Sequence, residues 1–106
     1  MTVNELIEKS NLEVLNLGDG TREISTGYTG DLLSIVMSKA PNNCVWFTVM
    51  NNINVLAVAT LADISAVVIC DAEVFDEFVE KAKEQNVTIL KSNLDVYSTI
   101  KEIGMI

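Results

Sequence analysis

The sequence predicts an α/β fold in which helices flank a mostly parallel β-sheet. Two short segments, residues 44–49 and 66–70, are almost wholly apolar and rich in β-branched and aromatic side chains, as strands buried on both faces are. Segments in which apolar residues recur with helical spacing alternate with these strands. Such alternation is typical of layered α/β domains, because two parallel strands must be joined by a long crossover, usually a helix.

The N-terminal third of the chain predicts a short helix followed by two strands. Residues 2–5 have the form of a capping box, and the helix should end near Ser10. Residues 12–17 have the pattern of a strand, and a Gly-Asp-Gly turn separates them from the next one. That next strand is predicted over residues 22–26, with Ile24 facing inward.

Residues 27–31 carry two glycines and are predicted to form a polar loop between this strand and an amphipathic helix. Thr29 can cap the helix, Asp31 suits its first turn, and Tyr28 should expose its ring on the loop. A helix N-terminus presents unpaired N–H groups that glycines let a ligand approach, so this loop is the clearest indication of a site. The helix should end before Pro41. Its expected apolar stripe consists of Leu32, Leu33, Val36, Met37 and Ala40.

The central region is ambiguous by periodicity alone. Residues 54–64 are apolar and alanine-rich, which fits either a helix or a buried strand. Because the two apolar strands must be joined by a crossover, we predict a helix here, capped by Asn52 or Asn54.

The C-terminal third predicts a helix, a strand and a last helix. Asp71 should cap the first helix, and the strand is predicted over residues 87–90. Ser92, with Asp95 three residues later, should open the last helix, which ends at Gly104. The expected apolar faces contain Val74, Phe75, Phe78, Val79 and Ala82 in one helix, and Leu94, Tyr97, Ile100 and Ile103 in the other.

Composition indicates one domain, residues 1–106, with an apolar core of its own. Hydrophobic residues make up 49% of the chain and charged residues 21%, which excludes disorder. The mean hydropathy of +0.32 is high, yet no apolar run reaches the ~18 residues of a membrane span. The apolar excess suggests strands buried on both faces or a hidden subunit interface. Because residues 2–5 are polar and lack a basic start, we expect no secretory leader and a cytoplasmic location.

The charge balance excludes two classes of partner. Fifteen acidic residues against seven basic ones give a net charge of −8, with no basic cluster to neutralise phosphates or to bind anionic lipid. We therefore expect no nucleic-acid partner and no membrane surface. A small ligand, or a protein with a basic surface, remains open.

The sequence lacks the common catalytic and metal-binding patterns. It has no histidine, which excludes Ser-His-Asp and Cys-His machinery, and neither a P-loop nor G-x-G-x-x-G occurs. Cys44 and Cys70 lack C-x-x-C spacing and are predicted to be small, reduced core residues. Trp46 is predicted to lie in the core as well. We expect no cofactor and no metal.

Ligands of open parallel sheets bind outside the C-terminal ends of the strands. The predicted ends are residues 27–31, 51–54, 70–73 and 91–93, and all four are small, polar or amide-bearing. The same residue types serve as helix caps and turn formers, so the binding and the structural interpretations both stay open. The candidate ligand-binding residues are Gly27, Tyr28, Thr29, Gly30, Asp31, Asn52, Asn54, Asp71, Ser92 and Asn93.

The glycine segment and its helix resemble stand-alone DRTGG-domain proteins, which have a Gly-Tyr-x-Gly-Asp-Leu-Leu-Ser-x-Val-Met segment. Residues 27–37 here are Gly-Tyr-Thr-Gly-Asp-Leu-Leu-Ser-Ile-Val-Met. Residues 46–49, 54–59 and 66–69 are also similar, and the resemblance extends from about Leu12 to the C-terminus. The name-giving Asp-Arg-Thr-Gly-Gly string is absent, and Arg22 is the only arginine.

This resemblance implies a small DRTGG-like α/β domain rather than a particular activity. In related proteins the domain is fused to CBS-domain pairs or precedes phosphate acetyltransferase domains. Stand-alone forms resemble proteins encoded beside iron-only hydrogenase components. They are often labelled HPr-serine kinases because they resemble the N-terminal domain of HPr kinase/phosphorylase. This chain has no P-loop, so we reject the kinase activity.

The sequence leads to one main hypothesis and two rivals. The main hypothesis is a non-catalytic regulatory or sensor module, a homodimer that binds a small polar or anionic metabolite or a nucleotide at the strand-end loops. The first rival is a pure protein–protein interaction module, hydrogenase-associated if the resemblance extends that far, without a small ligand. The second is an enzyme that acts on a phosphorylated metabolite through Asp31. Tyr28 should separate the first two, since its ring would line an open cleft in one and an interface in the other.

Overall fold

The computed structural model describes residues 1–104 and 106, and it confirms the α/β prediction. A five-stranded, mostly parallel sheet is flanked by helices on both faces. The strands are β1 (Glu13–Asn16), β2 (Gly27–Thr29), β3 (Val45–Thr48), β4 (Ala66–Cys70) and β5 (Ile89–Ser92). The helices are α1 (Val3–Lys9), α2 (Leu33–Lys39), α3 (Asn54–Leu61), α4 (Asp76–Glu84) and α5 (Val96–Ile103).

The strands are ordered β1-β5-β4-β3-β2 across the sheet. β2, β3, β4 and β5 run parallel, and β1 lies antiparallel to β5, with Glu13 opposite Lys91. Because the parallel strands are neighbours in chain order, right-handed crossovers place α2, α3 and α4 on one face of the sheet. α1 and α5 cover the other face.

Two apolar layers fill the space between the sheet and the helices. On the first face, α2, α3 and α4 pack over strand residues that include Trp46 and Ile89. On the second face, α1 and α5 pack over Phe47 and Leu90. Every residue of β3 and β4 is buried, which explains why the sequence shows these strands as nearly continuous apolar runs.

The helices that the structure describes are at most nine residues long, and none of them could cross a membrane.

The second predicted strand is wrong. Residues 22–26 contribute only an isolated antiparallel bridge, between Glu23 and Thr2, although Ile24 does face the interior and is buried. The strand is instead β2, Gly27–Thr29, which pairs in parallel with β3. The predicted glycine loop is therefore mostly an edge strand, because pairing with a fully buried neighbour outweighs the weak strand preference of glycine.

The start of α2 also differs from the prediction. Leu32 occupies the N-cap position without a side-chain cap, so neither Thr29 nor Asp31 belongs to the helix. In the expected apolar stripe, Val36 is fully buried, whereas Leu32 and Met37 are exposed. α2 packs beside α3 at one end of the sheet, so it buries a narrower face than the stripe predicts.

The predicted cap of α4 is wrong as well. Phe75 is the N-cap residue, and Asp71 lies four residues upstream with a φ of 49°, outside the helix. The Phe75 side chain is exposed, whereas Phe78 is buried as predicted. Asn86 follows the end of the helix with a φ of 58°, the left-handed conformation common just after a helix.

The last helix is capped by Asp95 and not by Ser92. The Asp95 Oδ1 atom accepts a hydrogen bond from the Ser98 N–H at 2.8 Å, whereas Ser92 is the buried last residue of β5. The predicted inward face divides into two packed residues, Ile100 and Ile103, and two exposed ones, Leu94 and Tyr97.

Two other predicted helix features are confirmed. The ambiguous central segment forms α3. Its predicted cap is wrong, because Ile53 occupies the N-cap position without a side-chain cap, although the Asn52 Oδ1 atom accepts a hydrogen bond from the Asn54 N–H at 3.0 Å. α5 ends at Gly104, whose φ of 91° suits glycine and few other residues.

Both cysteines are buried free thiols, as predicted. Burial raises the pKa of Cys44 to about 11 and also raises the pKa of Cys70. Unfolded thiols ionise near 9.0 while the folded ones keep their protons, so the free energy of unfolding should fall as the pH rises from about 9 to about 11.

Chemical denaturation across this pH range measures the fall, and a Cys44→Ala variant should show a smaller one. A thiol reagent should label neither cysteine in the native protein and both in denaturant. Rapid native labelling would contradict their burial.

Candidate functional site

The C-terminal ends of the four parallel strands lie along one edge of the sheet, as predicted. From this edge, β2, β3 and β4 lead to α2, α3 and α4 on the first face. β5 leads to α5 on the second face. The connections after the neighbouring strands β4 and β5 therefore diverge, and such a divergence is where open α/β sheets form ligand-binding crevices.

A shallow, open crevice of about 250 Å³ lies at this divergence, and we call it the β4–β5 crevice. Its walls are Asp71, Ala72, Glu73, Lys91 and Asn93. The Asp71 backbone N–H donates a hydrogen bond to the Ser92 carbonyl at 3.0 Å, which joins the ends of β4 and β5. Two carboxylates, an ammonium and an amide thus border one small space. This set can accept hydrogen bonds from hydroxyls or amines and can pair with an anionic group.

A second cleft, of about 300 Å³, adjoins the first and shares Lys91 and Asn93 with it. It lies between the end of α1, the start of β1 and α5, and Lys9 is among its walls. Across it, the Asn11 side-chain amide donates to the Glu102 carboxylate at 3.0 Å. Two ammonium groups are therefore found near the end of β5. Within residues 1–104 and 106, no group of three or more His, Cys, Asp or Glu side chains is placed to hold a metal ion.

The glycine segment does not form a cradle at a helix N-terminus. Gly27, Tyr28 and Thr29 instead border a more apolar cleft of about 440 Å³, together with Phe47 and Ile100. This cleft lies beside β2, one of the two edge strands, and not at the divergence of the connections.

Tyr28 is half-buried and packs against the first apolar layer, so its ring is not exposed on a loop as predicted. A Cβ atom on Gly30 would lie 3.4 Å from the Tyr28 ring and 3.2 Å from Val36 Cγ2. Packing therefore favours glycine at this position. Because Tyr28 contacts its own core, it does not separate the ligand-binding hypothesis from the interaction hypothesis.

Asp31 connects two strand ends. Its Oδ1 atom accepts hydrogen bonds from the Thr48 hydroxyl at 2.8 Å and from the Val49 N–H at 3.0 Å. Thr48 is fully buried at the end of β3. These bonds hold the connection after β2 against the end of β3, which is a structural role.

Replacing Asp31 by alanine should lower the free energy of unfolding by about 1–3 kcal/mol, because the buried Thr48 hydroxyl loses its acceptor. Asp31→Asn keeps an oxygen acceptor and should lose less. Urea denaturation followed by circular dichroism measures both variants. Unchanged stability of Asp31→Ala would contradict the structural role.

Three further candidates have local contacts. Asn52 accepts the hydrogen bond from the Asn54 N–H, and Asn54 is exposed in the first turn of α3. The Ser92 hydroxyl pairs with the Thr99 hydroxyl at 2.6 Å inside the second layer. Of the predicted residues, Asp71 and Asn93 are the ones that the fold brings to one crevice at the strand ends.

Sequence reasoning missed Lys91, although the predicted strand end at residues 91–93 contains it. The prediction considered only the small polar side chains Ser92 and Asn93 and did not include the ammonium group of Lys91. It also missed the exposed apolar side chains that follow β2, β3 and β4 at the same edge. They are Leu32, Val49, Ile53 and Phe75, and the helical spacing predicts a core position for Leu32 and Phe75.

The fold is similar to that of a regulatory protein region that was crystallised with an activator. The chain aligns with a crystal structure of the CBS and DRTGG domains of the regulatory region of Clostridium perfringens pyrophosphatase, complexed with its activator, diadenosine tetraphosphate. The TM-score is 0.66 at 12% sequence identity, over 96% of this chain and 45% of that chain. This chain thus spans less than half of that neighbour, and the likeness shows the fold alone. It agrees, at the level of fold, with the resemblance to DRTGG-domain proteins.

No family model matches the sequence, and no curated protein matches it.

Proposed function

We propose that this chain is a non-catalytic regulatory module that binds a nucleotide-like ligand at the β4–β5 crevice. The observation that carries the proposal is the divergence of the connections after β4 and β5, with Asp71, Lys91 and Asn93 around the crevice between them. The similar pyrophosphatase region is regulatory and was crystallised with a nucleotide activator. That likeness supports both the class of ligand and the regulatory role.

The crevice suits the two chemically different parts of a nucleotide. The Asp71 carboxylate can accept hydrogen bonds from ribose hydroxyls, and the Lys91 ammonium can pair with a phosphate. The phosphates should point away from Glu73 and toward the adjoining cleft, whose walls include the ammonium of Lys9 and also the carboxylates of Glu13 and Glu102. The left-handed backbone of Asp71 adds support, since such conformations cluster at ligand sites.

Calorimetric titration with ATP and with diadenosine tetraphosphate tests this proposal. We expect saturable binding of at least one of them, and Lys91→Ala should weaken it by roughly tenfold or more, because a charge-assisted contact is lost. Lys101→Ala is the matched control, since Lys101 is exposed on α5 and borders neither cleft. Lack of binding by both nucleotides, or an equal loss in the two variants, would contradict the proposal.

The proposal includes a homodimer. β2 is outermost in the sheet, so its outer side could pair with β2 of a second copy around a twofold axis. Native mass spectrometry of the gently purified protein measures the assembly and any co-purifying molecule together. A dimer with added mass would support both parts, and a monomer would contradict the homodimer.

The pure interaction module is the second candidate function. The exposed apolar side chains at the strand-end edge favour it, because such side chains at one surface often mark a protein interface. A dimer without a bound small molecule would favour this function over the ligand-binding one.

A further inference from the structure

Four large apolar side chains are exposed where the chain leaves β2, β3 and β4. They are Leu32, Val49, Ile53 and Phe75, with exposed fractions of 62%, 41%, 42% and 58%. Exposed apolar area in water is unfavourable, and a cluster of such side chains on one surface marks an interaction site.

Hydrogen bonds join the three connections into one surface. The Val49 N–H donates to the Asp31 carboxylate at 3.0 Å, which links the connection after β3 to the one after β2. The Asn51 side-chain amide donates to the Glu73 carbonyl at 2.8 Å, which links it to the connection after β4. We call this continuous surface, formed by residues 30–32, 49–53 and 71–77, the apolar edge.

A shallow cleft of about 230 Å³ lies in the apolar edge, between the connections after β3 and β4. Ile53 and Phe75 form its sides, and Phe78, which is buried, lies beneath them. Glu77 borders the same cleft and places a carboxylate beside its apolar walls. An apolar side chain entering between Ile53 and Phe75 would therefore sit next to negative charge.

The charged groups of the apolar edge are all acidic. Its three segments contain no lysine or arginine, and their five carboxylates are all on exposed residues. These are Asp31, Asp71, Glu73, Asp76 and Glu77. A second copy of this chain, with its net charge of −8, would bring like charges against them, which opposes self-association through this surface. The complementary surface is basic.

We infer that the apolar edge docks a basic amphipathic segment of a partner protein. A large apolar side chain of the segment enters the cleft between Ile53 and Phe75, and flanking lysines or arginines face the carboxylates. Phe75 is the expected anchor, because aromatic side chains dominate the energetics of such interfaces. The carboxylates of the apolar edge attract the positively charged segment as it approaches and repel acidic competitors.

This inference goes beyond the small-ligand proposal and does not depend on it. The apolar edge and the β4–β5 crevice meet at Asp71 and Glu73, which belong to both. A ligand in the crevice would therefore lie beside the docked segment.

Nuclear magnetic resonance titration, without nucleotide, tests the inference. The probe is a short amphipathic peptide of leucine and lysine, and its counterpart with glutamate in place of lysine is the charge control. We expect the lysine peptide to shift the amide signals of residues 49–53 and 73–78, and the glutamate peptide to leave them unchanged. Phe75→Ser should weaken the lysine peptide's binding by roughly tenfold.

Leu61→Ser is the matched control, because Leu61 is 73% exposed at the far end of α3 and outside the apolar edge. It should bind the lysine peptide like the unmodified protein. Equal binding by Phe75→Ser, shifts confined to other surfaces, or binding of the glutamate peptide would overturn the inference. A dimer that Phe75→Ser converts to monomer would also overturn it, because a second copy would then occupy the edge.

Discussion

Replacing Trp46 by alanine should lower the free energy of unfolding by about 3–5 kcal/mol, since a fully buried aromatic side chain is lost and a cavity remains. Trp46 lies on β3 in the first apolar layer, between the sheet and its covering helices. Domains of this size are stable by only about 5–15 kcal/mol. The substitution should therefore remove a large part of the total stability.

Urea denaturation followed by circular dichroism measures this loss. Trp46→Phe keeps most of the ring volume but loses the hydrogen bond from Trp46 Nε1 to the Gly30 carbonyl, 2.8 Å long, so it should cost about 1–3 kcal/mol. Tyr97→Ala is the control, because Tyr97 is 75% exposed on α5 and should change stability by about 0.5 kcal/mol or less. Similar stabilities for Trp46→Ala and Tyr97→Ala would contradict the packing described.

Gly18→Ala should be the most damaging of the glycine substitutions outside the strands, at about 1–3 kcal/mol. A Cβ atom at Gly18 would overlap the Asn86 carbonyl, and backbone atoms cannot move aside as a flexible side chain can. The contact joins the turn after β1 to the turn between α4 and β5. The variant should therefore displace two turns at once.

Gly27→Ala is the matched comparison. A Cβ atom there meets only Phe47 Cε2, at 3.5 Å, an ordinary van der Waals distance, so the change should be about 0.5 kcal/mol or less. Thermal unfolding of the two variants should separate them by several degrees, as about 1 kcal/mol shifts the midpoint of such a domain by roughly 4–8 °C. Equal midpoints would show that the turn contact at Gly18 is not tight.

The strand-end edge itself was predictable, but the grouping of residues along it was not. Parallel neighbouring strands must end at the same edge, so the sequence placed Asp71 and Asn93 there correctly. Whether two such residues share a crevice depends on which face the next helix covers. α5 covers the face opposite α4, and no local pattern in residues 93–103 encodes that choice.

Asp31 also shows a limit of prediction from local sequence patterns. Its position before an amphipathic helix suggested a ligand contact or a helix-dipole contact. Its hydrogen-bond donors come from Thr48 and Val49, which are distant in sequence and adjacent only because β2 and β3 pair. A binding role and a structural role cannot be separated by the sequence pattern, because both require a short acidic side chain after a strand.

Local sequence patterns are enough to predict the fold class, the buried strands β3 and β4, and the helical crossover between them. These features depend on patterns within a few residues or on the geometric need to connect parallel strands. Three features become visible only in the folded chain: Gly27–Thr29 is a strand, Leu32 and Phe75 lie outside the core, and Lys91 borders a crevice. The physical reason is that each of these outcomes is set by contacts between segments far apart in the chain, to which local propensity contributes little.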